Sequence, residues 1–82
     1  MQTSNINRQV NVTRMSFGRD MRAYPRAIEL EGRTYEFVDR GLSCTVTRGA
    51  EKTHILTLSD GHREFWLRDG GRGVWTLLGM SA

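Results

Sequence analysis

Few residues of this 82-residue chain could do chemistry: one cysteine, Cys44, two histidines, His54 and His62, and scattered carboxylates. A nucleophilic thiolate needs a neighbouring imidazole to depress its pKa, so Cys44 and His54 invite a thiol-and-base reading. The surrounding pattern argues against it. Leu42-Ser43-Cys44-Thr45-Val46-Thr47 alternates apolar and hydroxyl side chains, the signature of a strand with one buried face, and this makes Cys44 a core residue. His54 falls in a same-face series with Leu56 and Leu58 near a strand end, and His62 adjoins the Asp60-Gly61 turn and faces solvent.

Two facing carboxylates can act as a general acid and base or hold a divalent cation. Glu29 and Glu36 face each other across the first expected hairpin, but on its outer face, with Arg26, Arg33 and Arg40 nearby in sequence; they read as solvated surface. The segment Asp69-Gly70-Gly71-Arg72-Gly73 lacks the Lys-Ser/Thr pair and the following helix of a phosphate-binding loop, and reads as a hairpin connection. One cysteine and two histidines supply neither an internal disulfide nor a metal cluster. The expectation is a protein that is not an enzyme and uses no cofactor and no metal.

The aromatic and basic residues offer more. In Arg63-Glu64-Phe65-Trp66-Leu67-Arg68, Phe65 and Leu67 take the core face and turn Trp66 outward, opposite Ile55 if Asp60-Gly61 is a two-residue turn. Such an aromatic needs a cover: the N-terminal arm through Val10, Val12 or Phe17, a second copy of the chain, or a ligand such as a stacked base. Arg63 and Arg68 bracket the strand, so arginine and aromatic occur together, as in single-strand nucleic-acid platforms that combine stacking rings with arginines that neutralise phosphate.

Eleven of the 12 basic residues are arginine, a bias that codon composition produces and that phosphate or carboxylate recognition also exploits. The charge is uneven. Residues 1–26 carry Arg8, Arg14, Arg19, Arg22 and Arg26 against Asp20 alone, whereas residues 27–82 carry seven bases against eight acids. The basicity sits in an N-terminal arm.

These residues must be positioned by a single small domain, since 82 residues leave no room for a second core. Residues 1–24 form a polar arm, partly disordered or holding a short strand at Gln9-Val10-Asn11-Val12-Thr13 and one loose helical turn over 16–22. Pro25 pushes Tyr24 into an extended conformation and marks the boundary of a β domain over 25–82. Dense, evenly spaced turn signals then predict an antiparallel meander. Its runs are 27–31, 34–39, 42–48, 53–59, 63–68 and 74–79, and they reduce to five long strands if the 39–42 corner merges two of them.

The expected registers follow from the turns. A Gly32-Arg33 loop sets Leu30 opposite Tyr35 and Ile28 opposite Phe37. A loop through 49–52 sets Val46 opposite Leu56 and Cys44 opposite Leu58, and Asp60-Gly61 sets Leu56 opposite Phe65. A five-residue last loop sets Leu67 opposite Trp75 and Phe65 opposite Leu77, burying Trp75 and Leu77. Strands of this length around so small a core are expected to curl into a partly open SH3-like or OB-like barrel, with no helix of ten or more residues.

The function expected is a small binding module using Trp66, Ile55, Arg63 and Arg68 on one face and Arg14, Arg19 and Arg22 in the arm to bind nucleic acid or an acidic partner. The competing reading is a protein–protein adaptor or inhibitor, or a homo-oligomeric structural protein, with no nucleic-acid role. A core this small invites self-association, so a homo-oligomer is expected. The absence of a charged-then-apolar leader and of a long apolar run points to a cytoplasmic chain with no membrane role.

Overall fold

A computed structural model describes residues 3–17, 23–39, 41–71 and 73–81. Among them there is no helix. Seven antiparallel strands run as β1 (Thr3–Phe17), β2 (Ala23–Leu30), β3 (Arg33–Glu36), β4 (Leu42–Arg48), β5 (Glu51–Ser59), β6 (Glu64–Asp69) and β7 (Trp75–Ser81). They form one open sheet in the order β3-β2-β1-β7-β6-β5-β4. The all-β antiparallel class is as expected, but the strand count is seven and not five. The 39–42 corner does not merge two strands, since β3 and β4 are the opposite edges of the sheet, and the N-terminal segment adds another.

That segment, expected to stand apart as an arm, supplies the longest strand and lies in the middle of the sheet. Residues of β1 up to Val10 pair with β7, and those from Asn11 pair with β2. The alternation Gln9 to Thr13 was the visible part of it: Val10 is buried and Val12 packs against the core. Bulges let so long a strand bend between two neighbours. One falls between Asn5 and Arg8, where Asn7 adopts a φ of 52°, a conformation asparagine tolerates better than most residues. Ser16 and Phe17 belong to β1, and the rest of the expected helical turn, with Arg19 and Arg22, lies outside the described residues. Pro25 is no boundary: it is fully buried within β2, opposite Met15 where the β1–β2 register shifts, a place where a strand proline costs the ladder little.

The sheet has to curl. Seven strands about 4.8 Å apart would hold β3 and β4 about 29 Å apart if flat, yet the chain from Glu36 to Leu42 reaches about 21 Å at most. The link between them is tied to both halves. Phe37 N–H donates to the Arg26 carbonyl at 2.9 Å, Val38 N–H to the Ser59 carbonyl at 2.8 Å, and Ser59 N–H to Asp39 Oδ1 at 3.0 Å. Curling brings one face onto itself and makes the core: Val10, Ile28, Phe37, Leu58, Phe65, Leu67, Trp75 and Leu77. Phe65 is its centre, with ring centroids 5.1 Å from Tyr35 and 5.2 Å from Phe37. Tilted pairs of this kind contribute about 1 kcal/mol each beyond their buried area.

The hairpins differ from expectation in register, and the parity of each difference decides its consequence. The first loop is Glu31-Gly32, with φ of 52° and 79°, as a type I′ turn requires, so Leu30 faces Arg33 and Ile28 faces Tyr35. The third loop is four residues long, with Ser59 opposite Glu64 and Leu58 opposite Phe65. The last spans 70–74 and sets Leu67 opposite Leu77. The first two slips are two residues and keep every side chain on its expected face; in the last hairpin the slip is two residues at Leu67 and three past the bulge between Trp66 and Leu67, where Phe65 faces Met80 and not Leu77. Trp75 and Leu77 are accordingly buried, as expected. The β4–β5 hairpin is the exception. Its loop is Gly49-Ala50 alone, and Cys44 faces Ile55, a three-residue slip that turns β4 over. Cys44 is exposed and not core.

Candidate functional site

Turning β4 over builds a surface that the sequence showed only in part. Opposite the core face, β4 presents Leu42, Cys44, Val46 and Arg48 beside Thr57, Ile55, Thr53 and Glu51 of β5. Strand β6 continues the face with Glu64, Trp66 and Arg68, where Trp66 pairs with Thr57 and Arg68 with Ile55. On the far side Trp66 lies opposite Gly79, whose missing side chain leaves room for an indole on that strand; an aromatic beside a strand glycine is a recurrent stabilising pair.

Ile55 and Trp66 are half-buried, whereas Leu42 is 78% exposed and Val46 is 42% exposed. They form a stripe running from the edge strand toward the centre of the sheet. Two arginines and two glutamates share this face, so it carries no net charge.

The structure therefore brings Trp66, Ile55 and Arg68 onto one face. Trp66 and Ile55 are diagonal neighbours, not the directly opposed pair the two-residue Asp60-Gly61 turn would give. The loop amides explain the longer connection. Asp60 Oδ1 accepts from the N–H groups of His62 at 2.8 Å and Arg63 at 2.7 Å, and Ser59 Oγ accepts from Gly61 N–H at 3.0 Å. Burial opposes ionisation of Asp60, but the Arg63 and His62 amides and the positive charge of both residues outweigh it and hold the carboxyl below its ordinary value.

Other expected site residues lie elsewhere. Arg63 lines a shallow open depression with Arg33, Thr34, Tyr35, Asp60 and His62. Arg14 is ion-paired with Glu36 at 3.3 Å, and Glu36 lies opposite Ala27 and not Glu29. Glu29 pairs with Thr34. Leu42, Cys44 and Val46 were missed as members of the face. The available signal was the Gly49-Ala50 pair, which as a two-residue loop sets Arg48 opposite Glu51, a favourable cross-strand charge pair.

The face has no catalytic constellation. His54 Nδ1 lies 3.0 Å from Thr45 Oγ1 on the side of the sheet away from Cys44, so thiol and imidazole do not meet. Among the described residues no group of three His, Cys, Asp or Glu side chains could hold a metal ion, and no helix is long and apolar enough to cross a membrane. The chain matches no protein-family model, no curated protein and no solved structure.

Proposed function

We propose that this chain is a small non-enzymatic protein-binding module that docks its partner on the face carrying Leu42, Val46, Ile55 and Trp66. The observation that carries the reading is the composition of that face: an apolar stripe with a half-buried tryptophan, flanked by arginine and glutamate in equal number. Half-buried aromatics surrounded by aliphatics act as interface anchors. A charge-balanced face supplies no phosphate-neutralising field of the kind that dominates nucleic-acid affinity. Of the arginines expected to make one, Arg14 is ion-paired and Arg63 lies on the depression. The curled open sheet is read with this as an incomplete barrel of the SH3-like or OB-like kind, presenting its convex side.

The test is Trp66→Ala. Because the side chain lies outside the core, the variant keeps its strand signal by circular dichroism and unfolds cooperatively, whereas Phe65→Ala, at 0% exposure, loses about 3–5 kcal/mol. An affinity-purified partner identified with the wild-type chain dissociates from Trp66→Ala and still binds Arg14→Ala. Identical partner binding by wild type and Trp66→Ala would sink the reading. Salt-dependent, Trp66-dependent binding of a mixed single-stranded oligonucleotide would replace it with the nucleic-acid one.

A further inference from the structure

We infer that β4 is a self-pairing edge: two copies of the chain join antiparallel through Leu42–Arg48, turning two seven-stranded sheets into one across a two-fold axis. An edge strand offers unpaired backbone groups, and monomeric proteins blunt such edges with proline, lysine, bulges or short length. The β3 edge is blunted by its length of four residues. Strand β4 has seven residues, every one exposed, with no proline, no lysine and no register shift against β5.

The backbone groups free for pairing follow from the turn. A two-residue loop is closed by a hydrogen-bonded pair, here Arg48 and Glu51, and such pairs alternate along the ladder. Leu42, Cys44, Val46 and Arg48 therefore spend their backbone groups on β5, and those of Ser43, Thr45 and Thr47 point outward.

A second copy is the occupant that this pattern fits. With the axis at Thr45, the whole strand overlaps its copy: Thr45 meets Thr45, Ser43 meets Thr47, Cys44 meets Val46 and Leu42 meets Arg48. All three outward-pointing residues then fall in hydrogen-bonded pairs, giving about six inter-chain bonds. Like chemistry meets like on each face, hydroxyl with hydroxyl and thiol with aliphatic, pairings that stabilise antiparallel ladders. The strand's one charge, Arg48, lies along the Leu42 side chain and not against its own copy. A two-fold pairs only residues of equal parity, so both Trp66 faces emerge on the same side as one continuous surface.

Sedimentation over a concentration series tests this, with dimer expected at twice the 9.4 kDa chain mass. Thr45→Pro removes an outward N–H that the monomer does not use, a position where edge strands tolerate proline. Thr45→Lys blocks the same edge if the proline variant misfolds. Each raises the dimer dissociation constant by at least about tenfold with the strand signal retained.

Register is read by oxidation. Val46→Cys places its new thiol opposite Cys44 of the second copy in a non-hydrogen-bonded pair, about 4.5 Å between Cα atoms and within disulfide reach; it yields a covalent dimer, and wild type yields none. A wild-type chain that is monomeric at millimolar concentration overturns the inference, as does a dimer dissolved by Trp66→Ala and not by the Thr45 variants. Identical partner binding by wild type and Trp66→Ala, with the dimer dissolved by the Thr45 variants, leaves edge pairing standing and overturns only the face.

Discussion

Cys44 lies directly opposite Ile55 across the β4–β5 ladder, which puts the thiol on the outer face of the sheet and His54 on the other. The consequence is an accessible cysteine in native protein. A chromogenic thiol reagent should label it to completion without denaturant, at a rate within about tenfold of the unfolded chain, because access and not unfolding limits the reaction. Protection by orders of magnitude would restore Cys44 to the core and with it the register that the alternation Leu42 to Thr47 first suggests.

That alternation shows what was legible and what was not. The inside-outside pattern of β2, β3, β6 and β7 could be read directly, since the apolar residues Ile28, Phe65, Leu67, Trp75 and Leu77 have only one face they can take. The first and last turns had the expected lengths but sat one residue away, and the Asp60 turn was two residues longer than expected; none of this moved those residues from their faces. Strand β4 gave no such check: it alternates cleanly, yet it sits at an edge where neither face is covered, and burial cannot be inferred from alternation alone. Strand β1 was hidden for the opposite reason. Its core contribution rests mainly on Val10 and Val12 amid polar residues, and it is held by neighbours from both ends of the sequence. Trp66 was legible as an outward aromatic because Phe65 and Leu67 on either side had to point inward; its neighbours Leu42 and Val46 were not, because they depended on the one register that turned over.

Glu31 occupies the first central position of a type I′ turn with a φ of 52°. The left-handed region costs an L-residue about 1–2 kcal/mol, and asparagine about the least among side-chain-bearing residues. Glu31 also forms an exposed ion pair with Arg8, which contributes about 0–1 kcal/mol. Glu31→Asn should therefore stabilise by about 0.5 kcal/mol net and raise Tm by about 2–4 °C. A lower Tm would mean that the ion pair outweighs the backbone cost.

The Asp60 carboxylate organises the β5–β6 loop, and its pKa lies below the ordinary value of 3.8. A carboxyl depressed in the folded state contributes stability that is fully present above its unfolded pKa and is lost as pH falls through the folded one. Asp60→Asn keeps an oxygen acceptor but loses the charge. It should be less stable than wild type near pH 6, with the difference shrinking below about pH 4 and closing under the folded pKa. Asp60 is half-buried in a surface loop, so the difference is small and shrinks further in salt. Denaturant titrations at several pH values measure it, and a difference independent of pH would assign the loop to hydrogen bonding alone.

Gly41 ends the link that brings β4 around to the second edge. Its φ is +74°, and a Cβ there would sit 2.5 Å from the Thr57 carbonyl oxygen and 2.8 Å from Leu58 Cδ2. The first clash is with backbone in the middle of β5, which cannot move without breaking the β5–β6 ladder. Gly32 has a similar φ of +79° but nothing within 4 Å of such a Cβ, so it isolates the conformational cost. Gly32→Ala should lose about 1–2 kcal/mol. Gly41→Ala should lose that and about 1–3 kcal/mol more from overpacking, enough to detach β4 or unfold a domain of ordinary marginal stability. Hydrogen exchange separates the two results. If Gly41→Ala only releases the edge, amides of β4 and its β5 partners lose protection while Leu67 and Leu77 keep theirs. If instead both glycine variants cost the same, the link does not press on β5 as described, and the curl of the sheet would have to rest on the core alone.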